Sequence, residues 1–167
     1  MNLLKIIKEA RHHKEIISNH PARHISILDK TNYINGISIL MNIDENIAAT
    51  ELEYLGRLIA SLDLPEDKID EFIRVAEAPE TDLFEYLMKD TFSTRLLKYA
   101  FLIDCDLLIR KDGIIHENET VLVARYARTL GISAEEQERL NNVVHIIIED
   151  NGNWPEDLLA SVDTSGL

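Results

Sequence analysis

Two short acidic segments carry the residue types best suited to chemistry. Asp44-Glu45-Asn46-Ile47-Ala48-Ala49-Thr50-Glu51 and Asp112-Gly113-Ile114-Ile115-His116-Glu117-Asn118-Glu119 share the pattern D-x-x-I-x-x-x-E. The second reads as the back half of an EF-hand loop, with an Asp, a Gly at the sharp turn, an Ile, and a Glu seven residues after the Asp. The front half is missing. Its two earlier ligand positions hold Leu108 and Arg110, and in the first segment Leu40 and Asn42. Too few oxygens remain for the roughly six to eight ligands that calcium takes. One such loop is therefore not a calcium site, whereas two facing each other would pool their carboxylates. Asp44 and Glu51 would then meet Asp112 and Glu119, and Asp104, two helical turns before Asp112 on the same face, would join them. Hard oxygen ligands suit Ca²⁺, Mg²⁺ or Mn²⁺ rather than zinc or copper.

A purely structural account of the same residues competes with this one. Gly113 can take the left-handed conformation that ends a helix. Ile47 and Ile115 can pack as staple residues, while Glu51 and Glu119 fall at the third position of the next helix, where a carboxylate satisfies free N–H groups and the dipole. Arg57 and Arg125, at equivalent positions, could neutralise the acids as ion pairs. Other chemistry-bearing residues are sparser. His20 and His24 have i, i+4 spacing with His12-His13 nearby, but no acidic or cysteine partner is local, so they read as surface histidines rather than nickel or zinc ligands. Cys105 lies between Asp104 and Asp106, whose charge disfavours a thiolate nucleophile, on a helix with apolar neighbours. Trp154, beside Pro155, is expected to dock the chain's tail. There is no G-x-S-x-G, phosphate-cradling glycine loop or H-E-x-x-H, so no catalytic site assembles from motifs and the chain reads as a non-enzyme.

Helical periodicity positions these residues. Helices are expected over about 3–17, 22–43, 49–62, 66–76, 79–89, 93–110, 117–130 and 134–149. Pro21 and Pro65 suit first turns, and Ser133 with Glu136 forms a capping box. A loose tail follows, with a single turn near Pro155. Gly36 marks a kink or a close helix contact. No segment alternates like a strand, so the fold class is all-α, a compact multi-helix bundle in a single domain spanning 1–167.

The two acidic segments also define an internal repeat. They lie 68 residues apart, and the same offset pairs Tyr33 with Phe101, Leu40 with Leu108, Leu55 with Val123, Arg57 with Arg125, Leu62 with Leu130, Leu64 with Ile132 and Phe72 with Leu140. Repeat one covers about 22–76 and repeat two about 93–149, each a helix, an acidic turn, a helix, a joint and a third helix. Neither unit can bury its apolar stripe alone, so the two are expected to pack face to face about a pseudo-twofold axis.

Bulk properties bound the function. The chain has 167 residues, 46% of them apolar, enough for one core without cross-links. Its single cysteine allows no internal disulfide and fits a reducing, cytoplasmic setting. No stretch approaches a membrane span or the apolar core of a signal peptide. Thirty acidic against 17 basic residues give a net charge of −13, which repels phosphate backbones and anionic lipid and disfavours nucleic-acid partners.

The stretch from Tyr99 to Leu140 resembles the tellurite-resistance TerB-like family. The likeness rests on an apolar helix ending in Asp112-Gly113, then Ile115 and Glu119, a helix ending in Leu130-Gly131-Ile132, and Ser133-Ala134-Glu135-Glu136. The first copy, about 33–72, departs from the pattern where Glu45 replaces the turn glycine and Asp63 replaces the second glycine. The two copies cover roughly two thirds of the chain. The resemblance implies a compact helical bundle without enzymatic activity, a cation site on the paired acidic turns, and a role in metal-linked or chemical-stress responses of bacteria. Together these readings lead to a helical domain that binds a divalent cation or a protein partner. The competing expectation is an acidic inhibitor or immunity-type protein that occupies a basic site on its partner, which would need a broad acidic face.

Overall fold

The computed structural model describes residues 2–13, 15–41, 47–78, 82, 85, 88, 90–111 and 113–165, and among them the chain is all-helical with no strand. Helix α1 spans Leu3–His13, α2 Ile27–Met41, α3 Ala49–Ser61, α4 Ile69–Glu77, α5 Arg95–Ile109, α6 Glu117–Thr129, α7 Ala134–Glu149 and α8 Leu158–Thr164. Single 3₁₀ turns at Pro21–His24 and Glu66–Lys68 precede α2 and α4, and the described residues between 82 and 91 are also helical. No helix among the described residues is long and apolar enough to cross a membrane.

The 68-residue register holds in the backbone. Adding it to the bounds of α2 and α3 gives those of α5 and α6, and adding it to Glu66 gives Ala134, where α7 starts. The joints match in detail. Asp63 and Gly131 both adopt positive φ, 54° and 74°, and the next residue closes the same bond, Leu64 N–H to Ile59 O at 3.1 Å and Ile132 N–H to Ala127 O at 2.9 Å. This is the left-handed helix stop that glycine favours and that Asp63 reproduces at a steric cost. Contacts are likewise reciprocal. Helix α2 packs on α3, α4 and the second unit's α6, while α5 packs on α6, α7 and the first unit's α3. The equivalent rings of Tyr33 and Phe101 meet edge to face, with centroids 5.2 Å apart.

Three sequence expectations are corrected. Helix α1 ends at His13 rather than near Ile17, and Ile17 is tied to α3, its N–H donating to Ser61 Oγ at 2.8 Å. The helix expected from residue 22 begins only at Ile27. Pro21 opens a separate 3₁₀ turn that ends where Ile25 is extended, and Arg23 anchors it by donating to Ser61 O at 2.8 Å. The tail is not loose. Asp157 caps α8 by accepting from Ala160 N–H at 3.1 Å, and α8 buries Leu158 and Val162 against the bundle.

Helix α1 lies outside the repeat and docks on α3 and α4. Its apolar stripe buries Ile7 and Ala10 against Gly56, where the backbones approach so closely that a Cβ on Gly56 would sit 2.6 Å from Ile7 O and 2.7 Å from Ala10 Cβ. The polar side of α1 is pinned by Arg11, which donates to Leu64 O at 3.2 Å, and by Lys8, Arg11 and His12 around Glu66.

Candidate functional site

The helical register of α5 turns Asp104 inward, between the fully buried Ile103 and Cys105. A bare carboxylate there would be prohibitively costly, and three donors from three different elements compensate it. Tyr33 of α2 donates its hydroxyl to Oδ2 at 2.5 Å, Tyr54 of α3 donates to Oδ1 at 2.6 Å, and His20 Nε2 lies 2.7 Å from Oδ2. The tautomer of His20 follows from its other nitrogen. Nδ1 accepts from Ala22 N–H at 3.0 Å, so Nε2 carries the hydrogen and donates to the carboxylate. Trp154 covers the imidazole, with ring centroids 4.7 Å apart, and Asn19 holds the tail in place by donating to Trp154 O and Pro155 O, both at 3.1 Å.

Chemically this is a closed network. Both oxygens of Asp104 already accept strong hydrogen bonds, and the nitrogen of His20 facing them is a donor, so neither group is arranged as a free base. Burial, then the adjacent Asp104 charge, pushes the Tyr33 and Tyr54 hydroxyls well above the ordinary tyrosine range. Burial and then Asp104 also push the Cys105 thiol up, which agrees with its reading as a quiet core residue.

The residues of the expected cation site fall into three groups. Asp44 and Asp112 lie outside the described residues. Glu51 and Glu119 are buried at the third position of α3 and α6, where Glu51 Oε1 accepts from Ala48 N–H at 3.0 Å and Glu119 Oε1 from His116 N–H at 3.2 Å. That is the capping role, realised identically in both units. Asp104 does not fit such a site, because a metal would have to displace the two tyrosines and His20 from it. Among the described residues no three His, Cys, Asp or Glu side chains come together as a metal-binding group.

The two arginines expected to neutralise the acidic turns also have other partners among the described residues. Arg57 donates through Nε to Glu15 O at 2.6 Å, and Arg125 pairs with Glu85 at 2.7 Å and Asp82 at 3.4 Å. His20 is corrected from a surface histidine to a buried one, 2% exposed, whereas His24 is exposed. The partner that local sequence did not offer arrives 84 residues later as Asp104. One signal was available. The offset that mostly pairs like with like pairs Asp104 with Gly36, and an acid on the buried face of a helix needs donors from outside its own element. Gly36 has its own cross-unit contact, its carbonyl accepting from Tyr126 Oη at 3.3 Å.

Large apolar side chains are exposed in both units. Ile114, Ile115, Val121, Ile146 and Ile148 of the second unit are all about half exposed or more, and so are Ile27 and Leu28 of the first. In the first unit the equivalent of Ile115, Ile47, packs on the core, and the equivalent of Val121 is Glu53. Compared with family models, curated proteins and solved structures, the chain matches none.

Proposed function

We propose that the chain is a non-enzymatic, TerB-like helical domain that works by holding a protein partner, in bacterial stress or envelope-associated defence. The observation that carries this reading is the set of apolar side chains left outside the closed core. Val121 and Ile146 of the second unit, like Ile27 and Leu28 of the first, stand about half exposed or more, and exposed apolar surface supports an interaction role. The enclosed Asp104 network supports it as a framework that rigidifies the bundle rather than a reaction centre. A photo-crosslinking residue placed at Val121 or Ile146 is expected to trap one protein in the native host, with no such product from the same residue at Glu138. Equal products at all three positions, or none at any, would defeat the reading.

The acidic turns support a second activity, weak binding of Ca²⁺, Mg²⁺ or Mn²⁺ by Asp44, Glu51, Asp112 and Glu119. Its support is the equivalence of the two turns in sequence and in the bounds of the helices on either side of them. An ion at about 100 times its Kd stabilises a native state by roughly 2.7 kcal/mol. In a domain of this size that is a rise in the thermal midpoint of about 5–10 °C. The rise is expected in millimolar ion and not in Asp112→Asn. A flat response to all three ions sinks this reading and leaves partner binding untouched.

A further inference from the structure

The chain contains two Asn-Gly pairs, Asn35-Gly36 and Asn151-Gly152, and the fold treats them oppositely. An asparagine followed by glycine is open to attack from within, because no side chain on the next residue blocks its backbone nitrogen from the side-chain amide. Asn35-Gly36 lies inside α2, where Gly36 is buried and the Asn35 side-chain oxygen is shut away from solvent. The Gly36 nitrogen is held in the helical ladder, and its carbonyl accepts from Tyr126 of the other unit. Asn151-Gly152 instead ends α7. Asn151 is exposed and left-handed, with φ 56°, and Gly152 follows at 84°. Gly152 N–H closes the helix stop on Ile147 O at 2.8 Å, and Asn153 N–H adds a bond to Asp150 O at 3.1 Å. Opening this joint breaks those two bonds at a helix end, whereas freeing Gly36 means unwinding α2 inside the core.

We propose that Asn151 is a site of spontaneous modification, losing its side-chain amide through a cyclic imide, and that the isoaspartyl product uncouples the tail from the bundle. In the first step the Gly152 nitrogen bonds to Cγ of Asn151 and the Cγ–Nδ2 bond breaks. The Gly152 amide proton leaves with Nδ2 as ammonia. Water then opens the ring at either carbonyl. Attack at Cγ restores the original main chain and leaves an aspartate. Attack at the main-chain carbonyl leaves an isoaspartyl residue, whose main chain runs through Cβ and Cγ. Nothing is oxidised or reduced, and water is the sole co-reactant. The closed joint does not itself react, because the Gly152 N–H is committed to Ile147 O, so the step proceeds from the locally opened end of α7. The two products differ in consequence. Aspartate tolerates the left-handed backbone much as asparagine does. The isoaspartyl residue adds a main-chain carbon between α7 and Trp154, so the Gly152 bond to Ile147 and the seat of Trp154 on His20 no longer share one register.

The test incubates the full chain at mildly alkaline pH, native and in urea, and locates isoaspartate by peptide mass spectrometry with enzymatic methylation of the new carboxylate. In urea both pairs should react at similar rates, since their local chemistry is the same. In the native chain Asn151 should react at least about tenfold faster than Asn35, a ratio that roughly 1.4 kcal/mol of difference in opening free energy supplies. Asn151→Gly keeps the left-handed backbone without strain and should lose the signal at this site alone. Trp154 is the sole tryptophan, so its emission reports the seat of the tail. It should shift to the red in the purified isoaspartyl fraction and stay in place in Asn151→Asp. An Asn151 that stays intact in the native chain, or native rates that are equal at the two pairs, overturns the site. An isoaspartyl fraction with unchanged emission overturns the uncoupling.

Discussion

Asp104→Ala is expected to destabilise the chain more than any other single truncation, by roughly 3–5 kcal/mol, the usual cost of removing one partner from a buried charged network. The midpoint of thermal unfolding should drop by about 10 °C or more. The loss has three parts that the geometry separates. Tyr33, Tyr54 and His20 each lose an acceptor inside the core, and a stranded buried donor costs about 1–3 kcal/mol. Asp104→Asn keeps an acceptor oxygen of the same shape but cannot serve donors on both sides, so it should fall between wild type and alanine. Tyr33→Phe and Tyr54→Phe each remove one donor and leave the others in place. Their effects should be smaller, and in the Asp104→Ala background nearly absent, because the interaction they report is already gone. Chemical denaturation of the set measures all of this. If Asp104→Ala stays within about 1 kcal/mol of wild type, the network is not what holds α2, α3 and α5 in register.

Gly56→Leu is expected to release α1 from the bundle. Alanine there already drives its Cβ into the carbonyl of Ile7 and the methyl of Ala10, contacts of 2.6 and 2.7 Å between parts of the fold that have no rotamer to change. Overpacking of this kind costs about 1–3 kcal/mol, against about 1 kcal/mol returned by replacing a mid-helix glycine. Gly56→Ala should therefore be mildly destabilising and Gly56→Leu severe. The cost of leucine exceeds what can be absorbed by small shifts, so the helix that yields is α1, which lies outside the repeat and packs on α3 and α4, whereas α3 is also held by α2 and α5. Hydrogen exchange distinguishes this from global loss. Amides of residues 6–13 should lose protection in Gly56→Leu while those of α5 keep theirs, and equal loss in both would show that α1 is integral to the core.

Most of the helices and several of their caps were legible in the sequence, because these are written in neighbouring residues. The offset of 68 predicted paired units, and the bounds of α2 with α5 and of α3 with α6 reproduce it without slip. Glu51 and Glu119 took the capping role that their third position implies. Breaks were harder to place, since His20-Pro21 reads locally as a helix start, whereas the extended backbone at Ile25 depends on Arg23 reaching α3. Only the tertiary structure decided what Asp104 does. Its spacing to Asp112 is that of one helix face, which suggested a shared ion, but the side chain points to Tyr33, Tyr54 and His20, which lie 71, 50 and 84 residues away. A carboxylate's role is set by which donors surround it, and donors from three other elements carry no local sequence signature. The docking of α1 has the same origin. Periodicity makes α3 and α4 amphipathic, and only the tertiary structure shows that α1 docks on them.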